Sequence, residues 1–277
     1  MKKALAIFII ILILPAYLIS ERYPYPYYPL PEYSGASTFG TLSIFQNPAA
    51  LSVNPSMELM YLHSFNSDTF SGDNTILLSR KGLGLAYQNY RLSVDDAINA
   101  YTIALSGHIT RGFYAGATYT FMKTDDGNPY HNDHFLDLGF LWRYRRDLSF
   151  GFVVENLKRM EFGGGDTEIE YKFSVGFRPL KERLTVSADW LWAESEAFAD
   201  GEFRGFLNLK IKKGIGILGS VDEHGNFGLG INLSFGYNQI GTYHNVSEDG
   251  KYRSGLLYSG YSYRPQGWVF PVKKKFL

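Results

Sequence analysis

The sequence contains no cysteine. A disulfide framework, a zinc-thiolate site and a thiol nucleophile are therefore excluded, and any chemistry would rest on oxygen and imidazole groups. Charge excess is missing too, with Lys+Arg at 27 and Asp+Glu at 27. Bulk charge then gives no grip on a polyanion, and nucleic acid is not an expected partner. Beyond residue 20 no apolar run is long enough to cross a membrane as a helix. If the remainder is integral to a membrane, it must be a closed barrel, because every backbone polar group has to be paired within lipid. What the chain has in plenty is aromatic side chains and glycine, with 21 Tyr, 21 Phe and 29 Gly. Such a composition suits a lipid–water boundary, where rings sit in hydrocarbon and hydroxyls stay wet.

Five segments follow from a pass along the chain. Residues 1–20 read as a signal peptide, with Met1-Lys2-Lys3 before the apolar run Ala4 to Leu14 and a cut near Ser20-Glu21; a retained anchor helix is the alternative. Residues 21–36 form a Tyr/Pro-rich arm, extended because of its proline density and suited to a linker or docking strip. Within 37–56, Phe39, Leu42, Ile44 and Phe45 precede Asn47-Pro48-Ala49-Ala50-Leu51. That pattern predicts a short amphipathic helix broken at Asn-Pro, with Asn47 capping the turn that starts at Pro48, and no other helical piece after the signal. Residues 57–263 are strand after strand, and 264–277 read as a tail or a truncated linker to something longer, since the strand-ending Phe usual in outer-membrane barrels is missing there.

The strands are two-faced. In Glu168 to Arg178, Ile169, Tyr171, Phe173, Val175 and Phe177 alternate with Glu168, Glu170, Lys172, Ser174, Gly176 and Arg178, a period of two that excludes a helix. The same alternation recurs in Phe113 to Phe121, Leu136 to Trp142, Leu184 to Trp192 and Phe227 to Phe235. A soluble sandwich would turn the apolar face inward, and a membrane barrel would turn it to lipid. Connection lengths separate the two. Tight, mostly basic turns (Arg80-Lys81-Gly82, Thr110-Arg111-Gly112, Lys212-Lys213-Gly214) alternate with longer acidic loops (Thr124 to Asp133, Lys158 to Thr167, Ser195 to Glu202). That is the pattern of an all-β, up-and-down antiparallel transmembrane barrel, with about fourteen strands at roughly ten residues each.

In such a barrel the less apolar face lines the lumen, which places Asp137, Arg143, Glu155, Glu170, Lys172, Asp189, Arg204 and Lys210 there. These charges either pair across the lumen or line a water-filled pore. A barrel of this width is not filled by its own side chains. The segment carrying Phe39, Phe45, Asn47, Pro48, Ala49 and Leu51 is accordingly read as a plug, with Phe45 and Leu51 turned inward together. Arg in place of Phe173 or Val175 is expected to destabilise the barrel far more than Arg in place of Ser174. Other polar clusters carry less. His131-Asn132-Asp133-His134 and Gly163-Gly164-Gly165-Asp166 read as loop polarity, and Asn245-Val246-Ser247 as an idle acceptor sequon. Ser106, His108 and His63 lack a visible third member for catalysis. No metal, cofactor or enzymatic activity is expected.

The exported N-terminus, the helix with Asn47-Pro48-Ala49-Ala50-Leu51 and the all-strand remainder resemble the FadL-like family of fourteen-stranded outer-membrane barrels, which includes fatty-acid transporters and the PorV-type barrels of secretion systems. More narrowly, Arg111-Gly112-Phe113-Tyr114-Ala115-Gly116, Val154-Glu155-Asn156-Leu157 and Asp222 to Gly225 are similar to the barrel ahead of some SppA-type signal peptide peptidases. The resemblance implies a bacterial outer-membrane location after Sec-type export, with membrane lipids and lipopolysaccharide as surroundings. It also implies one of two roles. The first is porin-like passage of a small hydrophobic ligand. The second is a non-transporting anchor or scaffold for a periplasmic or secretion-system protein, including the barrel part of a peptidase fusion.

Overall fold

The computed structural model describes residues 34–38, 40–54, 56–66, 73–91, 97–124, 132–157, 168–180, 183–212, 214–246 and 252–262. The expected signal peptide, most of the Tyr/Pro arm, Phe39, His131 and the Gly163 to Asp166 tip lie outside these residues.

Alternation becomes sheet along almost the whole described chain. The strands are β1 (Glu58–Asn66), β2 (Asn74–Arg80), β3 (Leu83–Arg91), β4 (Ala97–Thr110), β5 (Phe113–Lys123), β6 (His134–Trp142), β7 (Leu148–Glu155), β8 (Glu170–Phe177), β9 (Leu184–Ala193), β10 (Glu202–Lys212), β11 (Ile215–Asp222), β12 (Phe227–Phe235), β13 (Asn238–Val246) and β14 (Tyr252–Ser262). Each pairs antiparallel with its sequence neighbours, and β1 pairs with β14 from Glu58↔Ser262 to Asn66↔Ser254, so the fourteen strands close into one barrel. Closure removes both edges, which is what lets a sheet stand in lipid without unpaired backbone. Among the described residues no helix is long and apolar enough to cross a membrane.

The turns explain the hairpins. Lys81 (φ 49°) and Gly82 (φ 86°) both take left-handed backbone in the two-residue connection of β2 to β3, the twist-matched geometry of a tight hairpin. Most connections at the rim of this turn are short and most at the other are longer, the turn between Asp222 and Phe227 being a short one at the long-loop rim. One helical turn was not expected: Phe198–Asp200 coils within the loop after β9, and Trp190 Nε1 donates to the Phe198 carbonyl at 2.8 Å. That bond and the packing of the Phe198 ring on Trp190 and Trp192 tie the coil to β9.

The two faces differ as the alternation requires. In β8, Phe173 is 40% exposed while Lys172, Ser174 and Gly176 are buried. Tyr101, Ile103, Leu105, Leu229, Ile231 and Leu233 are likewise outward and exposed. Replacing Phe173 by Arg is expected to cost about 2–4 kcal/mol if it lies near the bilayer midplane, measured by denaturant unfolding in lipid vesicles. Ser174 is not the lenient control expected from its polarity. Its side chain is fully buried, and a Cβ on Gly35 would stand 2.9 Å from its Oγ, so Arg there would collide with the chain inside the barrel. Asn208, half-buried on the inward face of β10, is the appropriate comparison, and equal costs at 173 and 208 would speak for a sheet in water.

Candidate functional site

The inside of the barrel holds the N-terminal segment. Ser43–Gln46 is a single helical turn (α1), and Pro48–Ser52 is a 3-10 turn whose N-cap is Asn47. The Asn47 side chain accepts from Ala49 N at 3.1 Å, and its Nδ2 donates to Gly35 O and to Phe140 O of β6, each at 3.0 Å. One amide thus caps the turn, ties the segment to itself and bolts it to the wall. Pro48, Ala49 and Leu51 are buried, and Phe45 packs half-buried against the cluster that contains Leu42, Ile44 and Leu51. Burial begins earlier than the expected boundary at residue 37, because Ser34 and Ala36 are already fully enclosed.

The seat is made of inward-facing glycines. A Cβ would stand 2.7 Å from Ile44 Cγ1 at Gly84 of β3, 2.6 Å from Pro48 C at Gly116 of β5, 2.3 Å from Asn47 Oδ1 at Gly139 of β6 and 3.0 Å from Gly35 O at Gly151 of β7. Gly116 and Gly139 are register partners. The segment backbone runs across these strands where side chains are missing, a close approach only glycine permits.

Polar side chains from the wall then satisfy the backbone of the segment. Gly35 N donates to Asp189 Oδ2 at 3.2 Å, Thr41 N donates to Glu58 Oε2 at 3.0 Å, and Thr118 Oγ1 donates to Ile44 O at 3.1 Å. Ala36 O accepts from Ser149 Oγ at 2.8 Å and from Arg178 at 3.3 Å. Irregular backbone inside a barrel needs such partners, since strands have none to spare.

Toward the long loops lies a charged cluster on β6 to β10. Lys172 Nζ stands 2.6 Å from Glu155 Oε1, with Asp189 and Arg204 within electrostatic reach. Glu155 and Glu170 are register partners, and Asp137 feels both of them and Lys172. Asp137 Oδ1 accepts from Asn156 N at 2.9 Å, and Arg204 pairs with Glu202 at 2.7 Å. Six of the eight charges placed in the lumen by alternation thus gather, namely Asp137, Glu155, Glu170, Lys172, Asp189 and Arg204. Arg143 sits just past β6 and Lys210 near the end of β10, both at the tight-turn rim. Beside the cluster, Ile98, Ala100, Met122 and Phe135 pack as a buried apolar cluster on β4 to β6.

The remaining candidates do not assemble. Ser106 Oγ donates to Ser52 Oγ at 2.5 Å, His108 packs on the Tyr114 ring, and His63 Nδ1 meets Asn74 Oδ1 at 3.1 Å. His134 packs among Tyr119 and Phe121, with its ring hydrogen-bonded to the Tyr119 hydroxyl. Glu202, Asp222 and His224 could approach a common cation, but Glu202 is paired with Arg204, and Asp222 accepts from His224 N, Asn226 N and Asn226 Nδ2. Alternation did not single out Glu58, Arg178, the wall glycines or the inward tyrosines Tyr243 and Tyr258 as site residues.

No protein-family model matches the sequence, and no curated protein matches it. Solved structures do share the fold. The CymD monoaromatic hydrocarbon channel superposes with a TM-score of 0.59 at 8% identity, over 85% of this chain and 95% of that one. The Ralstonia pickettii toluene transporter TbuX gives 0.54 at 10% identity, over 86% and 99%.

Proposed function

We propose that this chain is an outer-membrane barrel through which small hydrophobic molecules pass, with the N-terminal segment as its internal plug. The observation that carries this reading is a closed barrel, apolar outside and of mixed polarity inside, whose tight-turn end is occupied by residues 34–38 and 40–53 of the same chain. A lipid-facing apolar band requires a bilayer, and among bilayers the closed antiparallel barrel is characteristic of the bacterial outer membrane, which a Sec-exported protein reaches. Two similar barrels are described as a hydrocarbon channel and a toluene transporter.

Vesicles containing the purified barrel are expected to take up toluene faster than protein-free vesicles. Deleting residues 37–53 should raise ion conductance in planar bilayers several-fold while the barrel keeps its heat-modifiable gel migration. Toluene uptake no faster than in empty vesicles, together with unchanged conductance in a folded deletion variant, would overturn the transport reading in favour of a membrane scaffold for a periplasmic protein.

A further inference from the structure

The segment does not treat the two halves of the lumen alike. Its helical turns contact β3, β4, β5 and β6, and residues 35–37 bond to β7 and β9 through Ser149, Ser187 and Asp189. On that side Thr118, Gly139, Leu141, Ser149, Gly151, Ser174 and Gly176 are buried on the inward faces, while Ser106, Tyr114 and Gly116 at the rim itself are half-buried and His108 is exposed. Across the lumen, on β10 to β12, no such buried belt reaches the rim. Asn208, Gly216, Asn232 and Ser234 are half-buried and Lys210 is exposed, all on the inward faces of β10, β11 and β12 near the same rim. A polar vestibule therefore opens beside the plug.

Its inner end is closed by aromatic and aliphatic side chains at mid-barrel. Phe206, Leu218, Tyr243 and Tyr258 are 9%, 3%, 2% and 5% exposed. Leu218, Tyr243 and Tyr258 belong to the same buried cluster as Leu42 and Ile44 of the segment, so the cluster spans from the plug to the opposite wall. The tyrosines lie flat over glycines of neighbouring strands. A Cβ at Gly228 would overlap the Tyr243 hydroxyl, and one at Gly241 would overlap the Tyr258 ring. Tyr243 is latched by a 2.5 Å hydrogen bond between its hydroxyl and Ser220 Oγ. The Tyr258 hydroxyl is buried with no hydrogen-bond partner among the described residues.

We infer that the permeation route runs down the β10–β13 wall, past a constriction made by Tyr243, Tyr258, Leu218 and Phe206, and out through the polar vestibule at Asn208, Asn232 and Ser234. The plug stays seated on its glycine track, and opening needs only that the tyrosine rings swing off Gly228 and Gly241. This rests on the transport reading for its biological meaning but not for its test.

The chain has no cysteine, so single cysteines report accessibility directly. In vesicles, Asn232→Cys and Ser234→Cys are expected to react with a charged methanethiosulfonate reagent roughly tenfold or more faster than Thr118→Cys and Ser149→Cys. Planar bilayers with Tyr243→Ala/Tyr258→Ala should conduct KCl several-fold better than wild type with the segment in place, and labelling Ser234→Cys in that background should block the added current. Equal labelling on the two halves, no labelling at 232 and 234, or no added conductance in a folded double variant would each overturn the route. The labelling arm decides alone if the double variant does not fold. Failed toluene uptake with this labelling and conductance intact would remove the natural cargo and leave the route standing.

Discussion

Replacing Gly139 by Val is expected to drive the inner segment from its seat while the barrel wall survives. The new Cβ would stand 2.3 Å from Asn47 Oδ1 and 2.8 Å from Pro48 Cδ, distances no relaxed side chain tolerates. Asn47 would then lose its bonds to Gly35 O and Phe140 O, and with them the cap on the 3-10 turn. The strand itself favours the change, because Val fits a pleated surface better than Gly does. Conductance should rise several-fold with heat-modifiable migration retained, and limited proteolysis should cut within residues 34–56. Gly219→Val, on the outward face of β11, is the control, since the nearest atom to a Cβ there is 3.8 Å away and little should change. Equal conductance from the two variants would show that the glycine track does not seat the segment.

The barrel was legible because its determinants are local. Period-two alternation in Glu168 to Arg178 and the tight turn at Lys81-Gly82 each act within a few residues. Asn47-Pro48 was legible for the same reason, as a cap and a break. The seat was not, because a glycine inside a strand reads only as a weak point. That Gly84, Gly116, Gly139 and Gly151 meet one buried segment depends on how the strands are paired, and pairing is a property of the closed sheet. Glu58 and Arg178 escaped for a related reason. Each looks like an ordinary polar-face charge until the chain it bonds, at Thr41 N and Ala36 O, is brought beside it from elsewhere in the sequence. The charge cluster lies between these cases. Alternation puts each member on the inner face, and register alone brings Asp137, Glu155, Glu170 and Lys172 together.

Lys172→Met should be among the most costly single changes in the lumen. Lys172 Nζ lies 2.6 Å from Glu155 Oε1, with side-chain exposures of 9% and 25%. Its charge also offsets Asp189, while Glu155 and Glu170 both stand close enough to Asp137 to repel it. Met keeps the length and apolar stem of Lys but leaves carboxylates facing one another in a poorly solvated space. Breaking a buried pair from one side costs about 3–5 kcal/mol, whereas a pair bathed in lumen water would cost about 0–1 kcal/mol. Denaturant unfolding of the variant in lipid vesicles discriminates between these ranges. Adding Glu155→Gln should restore much of the loss, giving a coupling energy that the single variants do not predict. A loss below about 1 kcal/mol with no recovery would mean that water solvates these charges, and the cluster would then line an open aqueous space rather than brace the barrel above the inner segment.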